Sequence, residues 1–155
     1  MIQVISIGGV LLFLDQIVKY IVSTSIALGD TINVIPNVFY ITNLENSGAA
    51  WSMFSCSRFF LVMCALIALF VIYYFFIKNK EISKSKKVYY GLLFGGILGN
   101  LVDRIIHGYV IDFIGVYIGT YAFPIFNIAD IAIVIGSILC IIDVYRGDKN
   151  DTKSK

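Results

Sequence analysis

Residues 59–77 form a run of nineteen positions without a charged side chain, bounded by Arg58 and Lys78. A helix needs about 20 predominantly apolar residues to cross the hydrocarbon core of a bilayer. Half-buried strands instead alternate apolar and polar residues over a few positions, which this run does not do. The sequence therefore predicts a protein that is embedded in a membrane.

Three further apolar segments accompany this run, and the composition agrees with a membrane protein. The chain is 59% hydrophobic and 14% charged, whereas an average soluble domain has roughly 25% charged residues. We predict a single membrane-embedded domain over residues 1–155, an all-α polytopic membrane protein with four transmembrane helices. The predicted spans are residues 4–28, 59–77, 88–106 and 124–142.

Lysine and arginine cluster in the connection 79–87 and in the tail 143–155. Cytoplasmic loops carry an excess of these residues, so both segments should face the cytoplasm. With four spans, the N-terminus lies there too, and segment 29–57 lies outside. Its stretches 31–36 and 38–42 favour strand and are separated by a turn signal, which predicts a small extracytoplasmic β-like cradle.

Several classes of protein find no support in the sequence. The formal net charge of +2 is too small to indicate nucleic-acid binding. Cys56, Cys64 and Cys140 are odd in number and lack metal-ligand spacing, so no disulfide framework is predicted. A single histidine, His107, leaves no multi-histidine metal site, and no cofactor is predicted.

Polar side chains interrupt the predicted spans at helical spacing. Asp15 and Lys19 are four residues apart in the first span and share one helix face. Charged groups are costly in lipid, so each is a candidate for function or for a pair that holds helices together. The third span carries a one-faced stripe with spacing i, i+3, i+4, i+7: Asn100, Asp103, Arg104 and His107.

These polar groups lie toward the outward ends of their spans. Asn127 and Asp130 stand three residues apart at the outward end of the fourth span, and Asp112 lies among apolar neighbours in the external connection before it. Their convergence predicts one site at the outer interface. Two carboxylates can share a proton, one acting as base on a water while the other donates to a scissile carbonyl.

Five sequence blocks in one order along the chain resemble those of the lipoprotein signal peptidase, or signal peptidase II, family. Each block alone is weak, whereas five in register are specific. The blocks are Asp15-Gln16-x-x-Lys19, Asn46-x-Gly48-Ala49-Ala50-Trp51, Gly95-Gly96-x-x-Gly99-Asn100-x-x-Asp103-Arg104, Val110-Ile111-Asp112-Phe113 and Phe123-Pro124-x-Phe126-Asn127-x-Ala129-Asp130.

The resemblance implies an aspartic endopeptidase whose catalytic pair is Asp112 and Asp130. Such an enzyme cuts bacterial prolipoproteins before the diacylglyceryl-modified cysteine, in the cytoplasmic (inner) membrane and in contact with membrane lipids. We expect it to act as a monomer. The substrate-binding or supporting residues would be Asp15, Lys19, Asn46, Gly48, Asn100, Asp103, Arg104, Asn127 and Ala129.

Two other classes of function remain open from the residues alone. A small transporter would use the buried charges as an ion pathway, but the cytoplasmic halves of the predicted spans carry no charge to continue it. A non-enzymatic membrane scaffold would display segment 29–57 to partners. A purely structural interpretation of the aspartates makes Asp112 an ordinary loop residue and Asp130 a carboxylate favoured at a helix N-terminus.

Overall fold

The computed structural model describes residues 2–48, 58–78 and 83–153. These residues form four α-helices and four β-strands, so the fold is mostly helical with one small antiparallel sheet. In chain order the elements are α1 (Ile2–Ser25), β1 (Thr31–Ile35), β2 (Phe39–Asn46), α2 (Arg58–Lys78), α3 (Lys84–Ile106), β3 (Val110–Ile118), β4 (Tyr121–Ala122) and α4 (Ile128–Lys153).

Three of the described helices are long and apolar enough to cross a membrane, which confirms the membrane class. The spans that qualify are Ile2–Ser25, Arg58–Phe75 and Ile128–Arg146. Helix α3 does not qualify, and it packs against α1, α2 and α4. A helix surrounded by other helices need not be apolar on every face, because its polar side chains meet protein and not lipid.

Several helix ends differ from the predicted spans, and α3, for example, begins at Lys84 rather than at residue 88. Helix α1 ends at Ser25 rather than at residue 28, and α4 begins at Ile128 rather than at 124 and continues to Lys153 through the predicted tail. The start of α4 is set by a reciprocal cap. The Asn127 side-chain oxygen accepts from the backbone N–H of Asp130 (3.0 Å), and the Asp130 carboxylate accepts from the backbone N–H of Asn127 (3.2 Å).

Glycines in α3 allow the neighbouring helices to approach its backbone. A Cβ atom on Gly95 would lie 2.6 Å from the carbonyl oxygen of Gly8 in α1. On the other side, a Cβ on Gly96 would lie 2.6 Å from the carbonyl oxygen of Ala129 in α4. This close packing of α1, α3 and α4 is the packing expected of small-residue ridges.

The sheet has the strand order β1-β2-β3-β4, with every pair antiparallel. The hairpin of β1 and β2 turns at Asn37, which has a left-handed φ of 59°. This hairpin confirms the predicted β-like element. Strand β3 was not predicted, because Asp112 and its neighbours were assigned only to a short external connection; the strand pairs with β2 so that Leu44 lies opposite Asp112.

Candidate active site

Two aspartates from different elements line one pocket of about 510 Å³. Asp112 comes from β3, in the sheet, and only 2% of it is exposed. Asp130 comes from the first turn of α4, the third residue after the capping Asn127. The pocket is otherwise largely apolar, and its wall includes Phe123, Ile131 and Val134.

Each oxygen of the Asp112 carboxylate accepts a hydrogen bond from an asparagine side chain. Asn127 donates to Oδ1 and Asn46 donates to Oδ2, both at 2.7 Å. Asn46 is the last residue of β2, which pairs with β3. The sheet and the start of α4 therefore hold this carboxylate between two amide donors.

The Asp130 carboxylate is held in the same way. Its Oδ1 accepts from the Nδ2 of Asn100 at 2.7 Å, and its Oδ2 accepts from the backbone N–H of Asn127 at 3.2 Å. Asn127 thus contacts both carboxylates, Asp112 with its side chain and Asp130 with its backbone. The two acids that line the pocket therefore share one hydrogen-bonded neighbour.

Opposing effects act on the pKa of Asp112. Burial is the largest and favours the neutral acid, while the hydrogen bond from Asn46 favours the ion; the charge of Asp130 favours the neutral acid again, and the bond from Asn127 favours the ion. The charge of Lys19 favours the ion as well, and the balance of all these effects raises the pKa of Asp112 to about 6. A carboxyl group with a raised pKa beside a second carboxylate is suited to acid–base catalysis near neutral pH.

A buried lysine lies behind the pocket. The ammonium of Lys19 is 2.8 Å from Asp15, 2.8 Å from Asp103 and 3.0 Å from the side-chain oxygen of Asn100. An ammonium has three N–H donors, and these three acceptors use all of them. Lys19 is 1% exposed, so its charge is compensated entirely by protein groups.

Asp15 and Asp103 also bond to other elements. The Asp15 carboxylate accepts from the backbone N–H of Ala129 at 3.0 Å, which connects α1 to α4. Asp103 accepts from the side chain of Gln16 at 2.8 Å and from the backbone N–H of Ile111 at 3.3 Å. These bonds connect the helices to β3 and position the residue that follows Ile111, which is Asp112.

Arg104 lies at the opposite side of the pocket and contacts the end of the β2 segment. Its Nη2 donates to the carbonyl oxygen of Gly48 at 2.9 Å, and its Nη1 donates to that of Asn100 at 3.3 Å. The backbone N–H of Gly48 in turn donates to the side chain of Asn46 at 2.9 Å. Among the described residues, the buried Nε of Arg104 has no hydrogen-bond partner.

The structure brings most of the residues that the sequence singled out into one hydrogen-bonded cluster. Ala129 and His107 have a different role or position. Ala129 is fully buried, and it contributes close packing against Gly96 and Gly99 and its backbone N–H, which bonds to Asp15. The His107 ring stacks on that of Tyr109. Part of the second sequence block, residues 49–51, lies outside the described residues.

Sequence reasoning assigned no role to Gln16 or to the apolar wall of the pocket. Gln16 follows Asp15 directly and bonds to Asp103 and to the carbonyl oxygen of Gly99. The sequence did contain a signal for Gln16, because a polar amide side chain is unusual within an apolar run. The wall residues Ile131 and Val134 of α4 gave no such signal, since apolar residues on a membrane helix are expected on every face.

Apolar helices that enclose a pocket with two carboxylates and convergent amide donors define a membrane-embedded protein with an enzyme-like site. Comparison with known proteins agrees. The family described as signal peptidase (SPase) II matches residues 7–146. The chain belongs to the signal peptidase II family.

Individual relatives are similar over most of the chain. The lipoprotein signal peptidase of Staphylococcus aureus (strain JH9) is 44% identical over 136 residues, which cover 88% of this chain and 83% of the relative. A bacterial membrane enzyme solved by the in meso method at 2.3 Å superposes with a TM-score of 0.88 at 41% identity, covering 95% and 90% of the two chains. A second such structure, at 1.9 Å, has a TM-score of 0.82 at 42% identity over 91% of each chain.

Proposed function

We propose that this protein is an aspartic endopeptidase that removes signal peptides from bacterial prolipoproteins by cutting before the diacylglyceryl-modified cysteine. The observation that carries the proposal is the placement of Asp112 and Asp130 on one pocket, each carboxylate held by two N–H donors. Similarity to lipoprotein signal peptidases supports the choice of substrate.

The two carboxylates divide the proton transfers of hydrolysis between them. The raised pKa of Asp112 makes it the partner that holds the shared proton, and Asp130 is the base. The water oxygen bonds to the scissile carbonyl carbon as Asp130 takes its proton and Asp112 protonates the carbonyl oxygen. This addition leaves two hydroxyl groups on the former carbonyl carbon. When the C–N bond breaks, Asp130 returns its proton to the leaving nitrogen and Asp112 recovers a proton from one of these hydroxyl groups.

The apolar pocket wall suits a substrate that arrives within the membrane. Ile131 and Val134 of α4 line the pocket and remain 39% and 56% exposed. Such a surface can bind the apolar part of a signal peptide or an acyl chain, while the peptide bond to be cut lies against the carboxylates.

We further propose that all four helices span the membrane, with both termini in the cytoplasm and the site at the outer interface. Helix α3 tolerates its polar stripe because α1, α2 and α4 surround it. The β-strands connect the same ends of the helices that carry the carboxylates, so the sheet lies outside as a cradle. Asp112, Asp130 and their hydrogen-bond donors all come from one chain, which is consistent with an active monomer.

Cleavage of a diacylglyceryl-modified prolipoprotein peptide by the purified protein in detergent tests the proposal. Asp112→Asn and Asp130→Asn remove one ionisable carboxylate each with little change of shape, and each is expected to lower kcat at least about 100-fold, the typical contribution of a general acid or base. Mass spectrometry of the products locates the bond that is cut.

Asp143→Asn is the matched control, because Asp143 lies on α4 with Asp130 but contacts Tyr89 and Lys86 instead of the pocket. It should cleave like the wild type, with or without a metal chelator. Cleavage at the wild-type rate by both Asp112→Asn and Asp130→Asn would refute the aspartic mechanism. Cleavage at another bond would refute the assigned substrate.

A further inference from the structure

Lys19 fixes the orientation of an amide group that it contacts. An ammonium group donates hydrogen bonds and cannot accept them. The Asn100 atom that lies 3.0 Å from the Lys19 Nζ must therefore be the side-chain oxygen. Asp15 and Asp103, each 2.8 Å from the same Nζ, hold the lysine in place.

The orientation of Asn100 determines what it offers to Asp130. With its oxygen toward Lys19, its Nδ2 faces the Asp130 carboxylate and donates to it at 2.7 Å. The reverse orientation would place the amide oxygen against a carboxylate oxygen and the NH₂ group against an ammonium. Both contacts would be repulsive, so the lysine permits one orientation only.

The same constraint passes to a second amide. The Asn100 oxygen also accepts from the Nδ2 of Asn127 at 3.2 Å. The NH₂ group of Asn127 points to this side, where it also donates to Asp112 at 2.7 Å. Its oxygen is left facing the backbone N–H of Asp130, from which it accepts at 3.0 Å.

We propose that Lys19 is a positioning residue, which acts through Asn100 and Asn127 to ensure that both amide groups present N–H donors to Asp130 and Asp112. This inference rests on the proposed function, because it concerns the same two carboxylates. Lys19 itself is 1% exposed and lies behind Asn100, which lines the pocket. It therefore affects the chemical step without contacting the substrate.

A purely structural role for Lys19 makes a different prediction. An ion pair that only holds α1 against α3 would change the stability of the protein, and the folded fraction would retain its kcat. A residue that acts through Asn100 loses its effect when Asn100 is removed. The two roles are therefore separated by the coupling between substitutions at the two positions.

The test is a double-mutant cycle of kcat and KM for prolipoprotein cleavage, with Lys19→Met, Asn100→Leu and the double variant. A lost hydrogen bond to a charged group should lower kcat by about 10- to 100-fold in each single variant. We expect Lys19→Met to leave KM nearly unchanged. The double variant should be no slower than the slower single variant, whereas fold-losses that multiply would overturn the proposal.

Lys19→Met leaves Asp15 and Asp103 buried without their cation, so a second background protects the experiment against failure to fold. Asp15→Asn keeps an oxygen for the N–H of Ala129. Relative to the wild type, the variant Lys19→Met/Asp15→Asn has lost one positive and one negative charge. The cycle with Asn100→Leu is repeated there. The kcat of the folded fraction of Lys19→Met/Asp15→Asn should fall about 10- to 100-fold relative to Asp15→Asn, as before; an unchanged kcat would overturn the proposal.

Tyr89→Phe is the control for loss of a polar contact between α3 and α4, because the Tyr89 hydroxyl donates to Asp143 at 3.3 Å. It should retain the wild-type kcat. A wild type that cuts, combined with independent effects at Lys19 and Asn100, would refute this inference alone. A wild type that does not cut would refute the proposed function and this inference with it.

Discussion

Asp112 is held by neighbours that oppose the effect of its burial. Burial raises the pKa of this carboxyl group, and the hydrogen bonds from Asn46 and Asn127 lower it. The result, about 6, lies where a group exchanges protons readily near neutral pH. The amide donors therefore adjust the acidity of Asp112 in addition to fixing its position.

Replacing Asn46 by leucine should change the pH dependence of cleavage. Asn46→Leu removes a donor that stabilises the ionised form, so the pKa of Asp112 should rise further above about 6. Asp112 must be protonated in the proposed mechanism, and activity falls as pH rises through its pKa. The alkaline limb of the kcat/KM profile should therefore move to higher pH.

Asn43→Leu is the matched control for this measurement. Asn43 is a buried asparagine on the same strand, but it donates to the carbonyl oxygen of Ile26 at 2.9 Å. Its replacement should reduce stability and leave the alkaline limb in place. An alkaline limb that stays in place while the acidic limb moves to higher pH in Asn46→Leu would show that Asp112 acts in its ionised form.

At the residue scale, the sequence predicted which side chains meet but not how they bond. Spacing along a helix places Asp15 near Lys19, and their ion pair follows from it. The contact of Asn127 with both carboxylates depends on how α4 starts beside β3 and α3. That geometry is tertiary, so no local pattern in the sequence contains it.

At the scale of elements, the crossing of α3 and α4 places Asn100 within reach of Asp130. Gly96 lies one turn before Asn100 on α3, and its missing side chain makes room for the backbone of Ala129, the neighbour of Asp130. A larger side chain at Gly96 would therefore change both the distance between the two helices and the geometry of the site.

Gly96→Ala should destabilise the protein and reduce cleavage. The added Cβ would lie 2.6 Å from the carbonyl oxygen of Ala129 and 2.8 Å from Ile133, so the helices must separate. Overpacking of this kind costs about 1–3 kcal/mol. The expected result is a lower Tm in detergent and a lower kcat, measured on the folded fraction.

Gly9→Ala provides the comparison, because nothing lies within 4 Å of a Cβ at that position of α1. Alanine favours helix over glycine by about 1 kcal/mol, so this variant should be as stable as the wild type or more so. A Gly96→Ala variant that is as stable as Gly9→Ala would mean that the crossing is looser than the structure indicates.

The elements differed in how well the sequence predicted them. The hairpin of β1 and β2 was predicted because strand-favouring residues flank a turn signal at Pro36 and Asn37. Strand β3 was missed because residues 110–118 are apolar on both faces, without the alternation of a half-exposed strand. Its partner β2 is far away in sequence, so only the folded bundle brings the two together.

At the scale of the whole molecule, α3 is the central element. It packs against the three other helices, and its polar stripe meets the lysine of α1 on one side and the start of α4 on the other. The mean hydropathy of a helix is high when most of its faces contact lipid. Helix α3 instead contacts the other three helices over much of its surface. The same enclosure that makes α3 a weak membrane signal allows it to carry the polar residues of the site.

The proposed topology predicts which ends of the molecule a membrane-impermeant thiol reagent can reach in intact cells. Val38, next to the hairpin turn, and Ser85, in the first turn of α3, are both exposed and lie at opposite ends of the bundle. In a background with the three native cysteines replaced by alanine, Val38→Cys should be labelled in intact cells. Ser85→Cys should be labelled only after the membrane is permeabilised, since lysine-rich segments remain in the cytoplasm. Labelling of both positions from outside would place an even number of crossings between them, so that α2, the helix between them, would not span the bilayer and the proposed topology would be wrong.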